Sequence, residues 1–182
     1  MSIINCQFII YACPVGQLAQ QLENYWQKTL SLCGKNQAHN YMPHCTLIGF
    51  FKDELSSIPI YLQTLDRAYF EAKKNNLSLD IQIKKLTFSE NWHGLELQAN
   101  GLKQLISNFA ELENSSTRQE ELRLKEWLHL SLAYDFNPEY EEQLQQLARE
   151  NIDITASVNW ELRFYQKHFD WTWKCWQSWK LN

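Results

Sequence analysis

Two of the five histidines open the same short pattern: a histidine, an apolar residue, a hydroxyl residue and a second apolar residue. The copies are His44-Cys45-Thr46-Leu47 and His129-Leu130-Ser131-Leu132. With 19 of 182 residues being Ser or Thr and apolar usage near one half, a histidine meets the pattern by chance roughly once in 50. Two matches among five are therefore on the order of half a per cent. Side chains alternate along a strand, so His44 and Thr46 share one face and His129 and Ser131 share another, while Cys45, Leu47, Leu130 and Leu132 turn into a core. An imidazole titrates near neutrality and can give or take a proton. Two imidazoles flanking one phosphorus can activate water on one side and protonate the departing oxygen on the other. The two hydroxyls can donate to the non-bridging oxygens as charge develops there. This chemistry requires no metal and no cofactor, and none is expected. His39, His93 and His168 lack a hydroxyl residue two positions on and are read as structural.

The elements that must carry these residues alternate between strands and helices. Residues 8–13 form a β-rich run ended by Pro14 and Gly16; Leu18, Leu22, Tyr25, Trp26 and Leu30 follow at helical spacing. The first histidine run, residues 45–51, reads as a strand. A helix through Leu62, Leu65, Tyr69 and Ala72 and a strand over 79–88 complete a unit. The order then restarts: a strand over 93–98, a turn at Gly101, a helix through Leu102, Leu105, Ile106, Phe109 and Leu112, and a polar loop over 114–125. The second histidine strand, 127–134, comes next. Asn137-Pro138 supplies an N-cap and first-turn proline for a helix carrying Tyr140, Leu144 and Leu147. Two strands, over 154–165 and 171–179, close the chain. Gly16 and Gly101 are 101 − 16 = 85 residues apart, and so are the two histidines, 129 − 44 = 85. The chain therefore reads as one domain built from two units, 1–91 and 92–182, which suggests two lobes.

These residues resemble the 2H phosphoesterases, a superfamily defined by two His-x-(Ser/Thr)-x motifs on pseudo-symmetric lobes, and the resemblance covers nearly the whole chain. Pro43-His44-Cys45-Thr46 and His129-Leu130-Ser131-Leu132-Ala133-Tyr134 are most similar to the cyclic phosphodiesterases of the plant and yeast type, in which a tyrosine stands where Tyr134 does. The resemblance implies an α+β fold: two lobes of antiparallel sheet, helices outside and a cleft between. It implies hydrolysis of a nucleoside 2′,3′-cyclic phosphate or ADP-ribose 1″,2″-cyclic phosphate, with His129 as base and His44 as acid. It also implies Thr46, Ser131 and Tyr134 as phosphate or substrate contacts, with Tyr11 as a weaker candidate near the base. Alternatives are an RNA-end cyclic phosphodiesterase or 2′–5′ RNA ligase and, from another class, a non-catalytic nucleotide-binding module.

Charge and composition bound the partners. Lys plus Arg is 17 against 21 for Asp plus Glu, a net charge of −4. No basic block is present to neutralise many phosphates, so a small cyclic phosphate or an RNA terminus is expected rather than a long nucleic acid. Arg163 and Lys167 are possible sources of positive charge near the cleft. The five cysteines are odd in number and form no Cys-x-x-Cys pair, which points to a reduced, cytoplasmic protein with no zinc site. No charged side chain occurs over 1–22, but polar interruptions and the missing basic flank argue against a signal peptide or membrane span. A monomer is expected. The aromatic content is high, with 8 Trp, 8 Tyr and 9 Phe. Trp171, Trp173, Trp176 and Trp179 are read as packing on the closing strand.

Overall fold

The computed structural model describes residues 5–182; residues 1–4, which begin the uncharged N-terminal stretch, lie outside the described residues. Seven strands form one antiparallel sheet in the order β3-β4-β5-β2-β1-β6-β7. They are β1 (Asn5–Val15), β2 (Cys45–Glu54), β3 (Gln82–Ser89), β4 (Trp92–Gln98), β5 (Leu128–Tyr134), β6 (Asn159–Lys167) and β7 (Trp173–Lys180). Four helices connect them: α1 (Gln17–Cys33), α2 (Ile58–Lys74), α3 (Asn100–Leu112) and α4 (Glu141–Asn151). The fold is thus α+β with two half-sheets, β3-β4-β5 and β2-β1-β6-β7, joined where Cys45 pairs with Leu130. The halves of the sheet are not the halves of the chain. β3, from the first sequence unit, pairs with β4 of the second, and β6 pairs with β1. The first unit thus contributes β3, and the second β6 and β7, to the other half.

Alternation along β1 separates the two faces. Cys6, Phe8, Ile10 and Ala12 enter the main core with Leu18 and Leu22 of α1, Tyr61 and Leu65 of α2, Leu105 and Phe109 of α3 and Ala148 of α4. Ile9, Tyr11 and Cys13 turn the other way and join Tyr165, Met42, Phe50 and Trp173 in a small second cluster. The helices therefore cover one face, and the face bearing this second cluster is where the histidines emerge. Leu30, placed on the buried stripe by its spacing, is instead 49% exposed; α1 runs past the core edge there.

Several local boundaries differ from the sequence reading. Gly101 does not make a turn but sits in the first turn of α3. A Cβ there would lie 1.8 Å from the Ser78 carbonyl oxygen, so glycine is needed for close approach. Leu79 and Ile81 are buried before β3 begins at Gln82, having the pattern of a strand without its pairing. The closing strands start later than their apolar residues suggest, at Asn159 and Trp173. Asn137 does cap, accepting from the Glu139 N–H at 3.2 Å, but the cap opens a 3-10 turn over Pro138–Tyr140 before α4.

The polar segment 114–125 is stitched to the free edge of β2. The Gly49 N–H donates to the Arg123 carbonyl at 3.0 Å and the Lys125 N–H to the Leu47 carbonyl at 2.9 Å. Further along, the buried Asp53 carboxylate accepts from Tyr61 and Ser115 hydroxyls, each at 2.6 Å. The half-sheets diverge beyond Cys45 and Leu130, and this segment takes the vacated hydrogen bonds. No described helix is long and apolar enough to cross a membrane.

Candidate functional site

The Cys45–Leu130 pair is the point about which the histidine motifs are arranged. In an antiparallel register, one step either side of it sets His44 across from Ser131 and Thr46 across from His129. Directly opposed side chains have Cβ atoms roughly 5 Å apart. On that register the four residues belong to one sheet face, and the charge of His129 is felt at His44, although the strands part beyond the Cys45–Leu130 pair. Cys45, Leu47, Leu130 and Leu132 point the opposite way and are at most 2% exposed.

His44 is held on two sides. Its Nδ1 lies 2.7 Å from the Met42 carbonyl, which directs Nε2 away from that backbone. Its ring stacks on Tyr11 with centroids 4.0 Å apart and planes 30° apart, and Tyr41 flanks it at 5.4 Å. Burial pulls its pKa down to about 4; the Met42 carbonyl opposes this and the charge of His129 adds to it. The imidazoles are thus close enough to disfavour a second charge.

His129 occupies the equivalent position with different neighbours. Trp127, the counterpart of Met42 at the same 85-residue offset, stacks on the His129 ring at 4.0 Å and 28°. Trp92 meets the ring edge-on at 5.3 Å. Burial lowers the His129 pKa and nearby Lys125 lowers it further. The Trp127 backbone opposes this by favouring the protonated ring, as the Met42 carbonyl does for His44, but its contact with Nδ1 is not the short one that His44 makes.

Ser131 accepts the Trp92 indole N–H at 2.9 Å, so its own proton is free to donate elsewhere. Gly94, paired with Ser131, leaves room for this indole: a Cβ there would lie 2.2 Å from the Trp92 ring. Thr46 lines a cleft of about 280 Å³ with Ile9, Tyr11, Tyr41, His44, Gly49, Phe50, Arg123, Lys125 and Tyr134. His129 and Ser131 do not line this volume; Trp127 and Trp92 lie against them. A larger cavity of about 330 Å³, between α3 and residues 124–128, contains no histidine.

Tyr134 reaches the cleft, and burial with the neighbouring Tyr41 and Asp135 raises its pKa to about 12. Tyr11 lines the same cleft but is 1% exposed, and its ring packs against His44, supporting the histidine from beneath. Arg163 is engaged by Glu161 at 2.8 Å and by the Tyr165 hydroxyl at 3.1 Å. Lys167 rests 3.3 Å from the centroid of the Trp171 ring.

Arg123, Lys125, Tyr41, Trp92 and Trp127 were not singled out from the sequence. Leu122-Arg123-Leu124-Lys125 alternates apolar and polar residues, the one signal that the polar segment would pair as a strand. Trp127 shares alternation with His129 and Ser131. Of the remaining histidines, His39 closes a capping box with Asn36, and His93 is fully buried beside Phe88 and Phe136. His168 lies outside this cleft. Trp173, Trp176 and Trp179 lie on β7, whereas Trp171 precedes it with φ 64° and is 51% exposed.

No family model matches the chain. It is 33% identical over 164 residues to the ubiquitin-associated and SH3 domain-containing protein B of Homo sapiens, covering 88% of this chain and 25% of that protein. It is 34% identical over 200 residues to the ecdysteroid-phosphate phosphatase of Drosophila melanogaster, covering 88% and 26%. The Bombyx mori ecdysteroid-phosphate phosphatase is 33% identical over 168 residues, with 24% of that protein covered. This chain spans about a quarter of the length of these curated relatives.

Proposed function

We propose that this chain is a two-histidine phosphoesterase of the 2H type that hydrolyses a cyclic phosphodiester to a phosphomonoester. The observation that carries the reading is the pairing of Cys45 with Leu130, which brings the strands bearing the two motifs into one register. A nucleoside 2′,3′-cyclic phosphate or ADP-ribose 1″,2″-cyclic phosphate is the substrate class. His129 takes a proton from water as its oxygen bonds to phosphorus. The bond to one ring oxygen breaks, and His44 protonates that oxygen through Nε2. Thr46 and Ser131 donate to the non-bridging oxygens, while Arg123 and Lys125 offset their charge. Solvent exchange then restores the starting protonation of both imidazoles.

The electrostatics of the cleft fit this division of labour when a phosphate anion is bound. Both imidazoles are depressed and neutral at pH 7. A bound phosphate anion favours uptake of a proton by the pair, and because the two imidazoles disfavour a second charge one proton loads His44 while His129 stays neutral. The test is turnover of a 2′,3′-cyclic nucleotide in excess chelator by the wild type, His44→Ala and His129→Ala. Activity in the wild type with loss in both variants is expected; dependence on added metal overturns the mechanism.

The names of the insect relatives favour a second reading, phosphomonoester hydrolysis. The match spans only about a quarter of those proteins, so their named activity need not reside in the matched part. Comparing a cyclic nucleotide with the corresponding 3′-monophosphate separates the readings. An oligoribonucleotide ending in a cyclic phosphate tests action on RNA ends.

A further inference from the structure

The two histidines carry aromatic rings at the same separation, but these rings do not occupy equivalent places in the repeat. Tyr11, under His44, belongs to β1 and is buried; Trp127, on His129, immediately precedes β5 and is 52% exposed. An exposed tryptophan with one face committed to a half-buried imidazole has no large burial to account for its position. His129 also lacks the short Nδ1 contact that orients His44. Trp92 closes the set: it lies 4.9 Å from Trp127, contacts the edge of His129 and binds Ser131.

We infer that Trp127 is a positioning residue for His129, orienting the imidazole by ring stacking from the exposed side of the site. The inference rests on the two-histidine reading of the site. Parallel contact between flat rings restricts the tilt of the imidazole and shields one of its faces from water. Rotation within the ring plane is limited by the perpendicular Trp92. The charged and titratable groups around His129 are Lys125 on the preceding segment, Glu96 opposite it on β4, and His44 and Cys45 on the β2 side. Glu96 is engaged by Thr87 at 2.9 Å and Lys85 at 3.2 Å, so it is not the orienting partner in place of Trp127.

The experiment is a histidine-resolved NMR titration of the full chain, run beside turnover of a 2′,3′-cyclic nucleotide, in wild type, Trp127→Ala and Trp127→Phe. In Trp127→Ala, water reaches the imidazole and the His129 pKa rises towards the ordinary 6.5. kcat falls on the order of tenfold to a hundredfold with KM little changed, because a misdirected base affects the chemical step more than binding. Trp127→Phe restores both quantities most of the way. A His129 pKa and kcat unchanged in Trp127→Ala overturn the inference. So does a loss of stability in that variant with the titration unmoved. If Trp127→Ala does not fold, Trp127→Leu keeps apolar cover without a ring, and a fall in kcat that Trp127→Phe does not show supports the inference, while an unchanged kcat overturns it. Absence of wild-type turnover defeats the functional reading, while the titration still decides whether Trp127 governs His129.

Discussion

The His44 half and the His129 half of the site share a motif, a strand position and an 85-residue offset, yet they hold their imidazoles by different means. On the His44 side a carbonyl, a buried tyrosine and a second tyrosine enclose the ring. On the His129 side two tryptophans do so, one of them half exposed. The comparison teaches that repeating a tetrapeptide repeats the placement of a side chain but not its environment. The strand face is local, whereas the neighbours come from β1 and residue 41 in one case and from β4 and residue 127 in the other. Unequal environments suit an acid and a base that must differ in protonation at the same pH.

The largest way to break the comparison is to remove each histidine. His44→Ala and His129→Ala are expected to lower kcat by about 10²–10⁴-fold each on a cyclic nucleotide. A variant that retains near-wild-type kcat would show that its half is not part of the chemistry. Gly94→Ala should displace Trp92 from Ser131 and destabilise the fold by about 1–3 kcal/mol, measured as a lowered urea midpoint. Ser131→Ala should leave that midpoint nearer wild type while lowering kcat roughly tenfold, in line with loss of one hydrogen bond to the developing charge.

Two pH experiments sharpen the contrast. The folded-state pKa of His44 and of His93 is about 4, below the ordinary 6.5. Between those values the unfolded chain binds more protons, so stability is present above pH 6.5 and is lost as pH falls towards 4. Each residue contributes on the order of 3 kcal/mol to that loss. Removing one of them, as in His93→Phe, should reduce the slope of unfolding free energy against pH in that window; an unchanged slope would show that His93 does not titrate there. For catalysis, kcat/KM reports the free protein and should fall on its alkaline limb below pH 6.5. The limb of kcat should lie higher, since bound phosphate favours uptake of a proton by the pair. Coincident limbs would count against that coupling. The smallest effect is expected for Tyr11→Phe, which keeps the ring under His44 and should change kcat less than about twofold, whereas Tyr11→Leu removes the stack.

Much of the fold was legible because its signals are local. The helices of the first unit and both histidine strands follow from periodicity and spacing. Leu79 and Ile81 show the limit: burial without pairing produces the same alternation as a strand. The segment 114–125 shows the other limit. Its composition is that of a loop, but the edge of β2 needs backbone partners where β5 departs, and residues 123–125 supply them. Arg123 and Lys125 reach the cleft as a consequence, giving an acidic chain a locally cationic site.

The sequence by itself determined that each histidine shares a strand face with its hydroxyl, because side chains alternate along a strand whatever it pairs with. It could not determine that the strands bearing the two motifs share one register rather than facing each other across a gap. That depends on the single registered pair Cys45–Leu130, formed by residues 85 positions apart. The exchange of closing strands between the halves, the ring over each imidazole and the cations beside the cleft are equally non-local. Only the tertiary structure decided them, since pairing and packing between distant segments are set by the burial of the whole sheet and not by the pattern of any one strand.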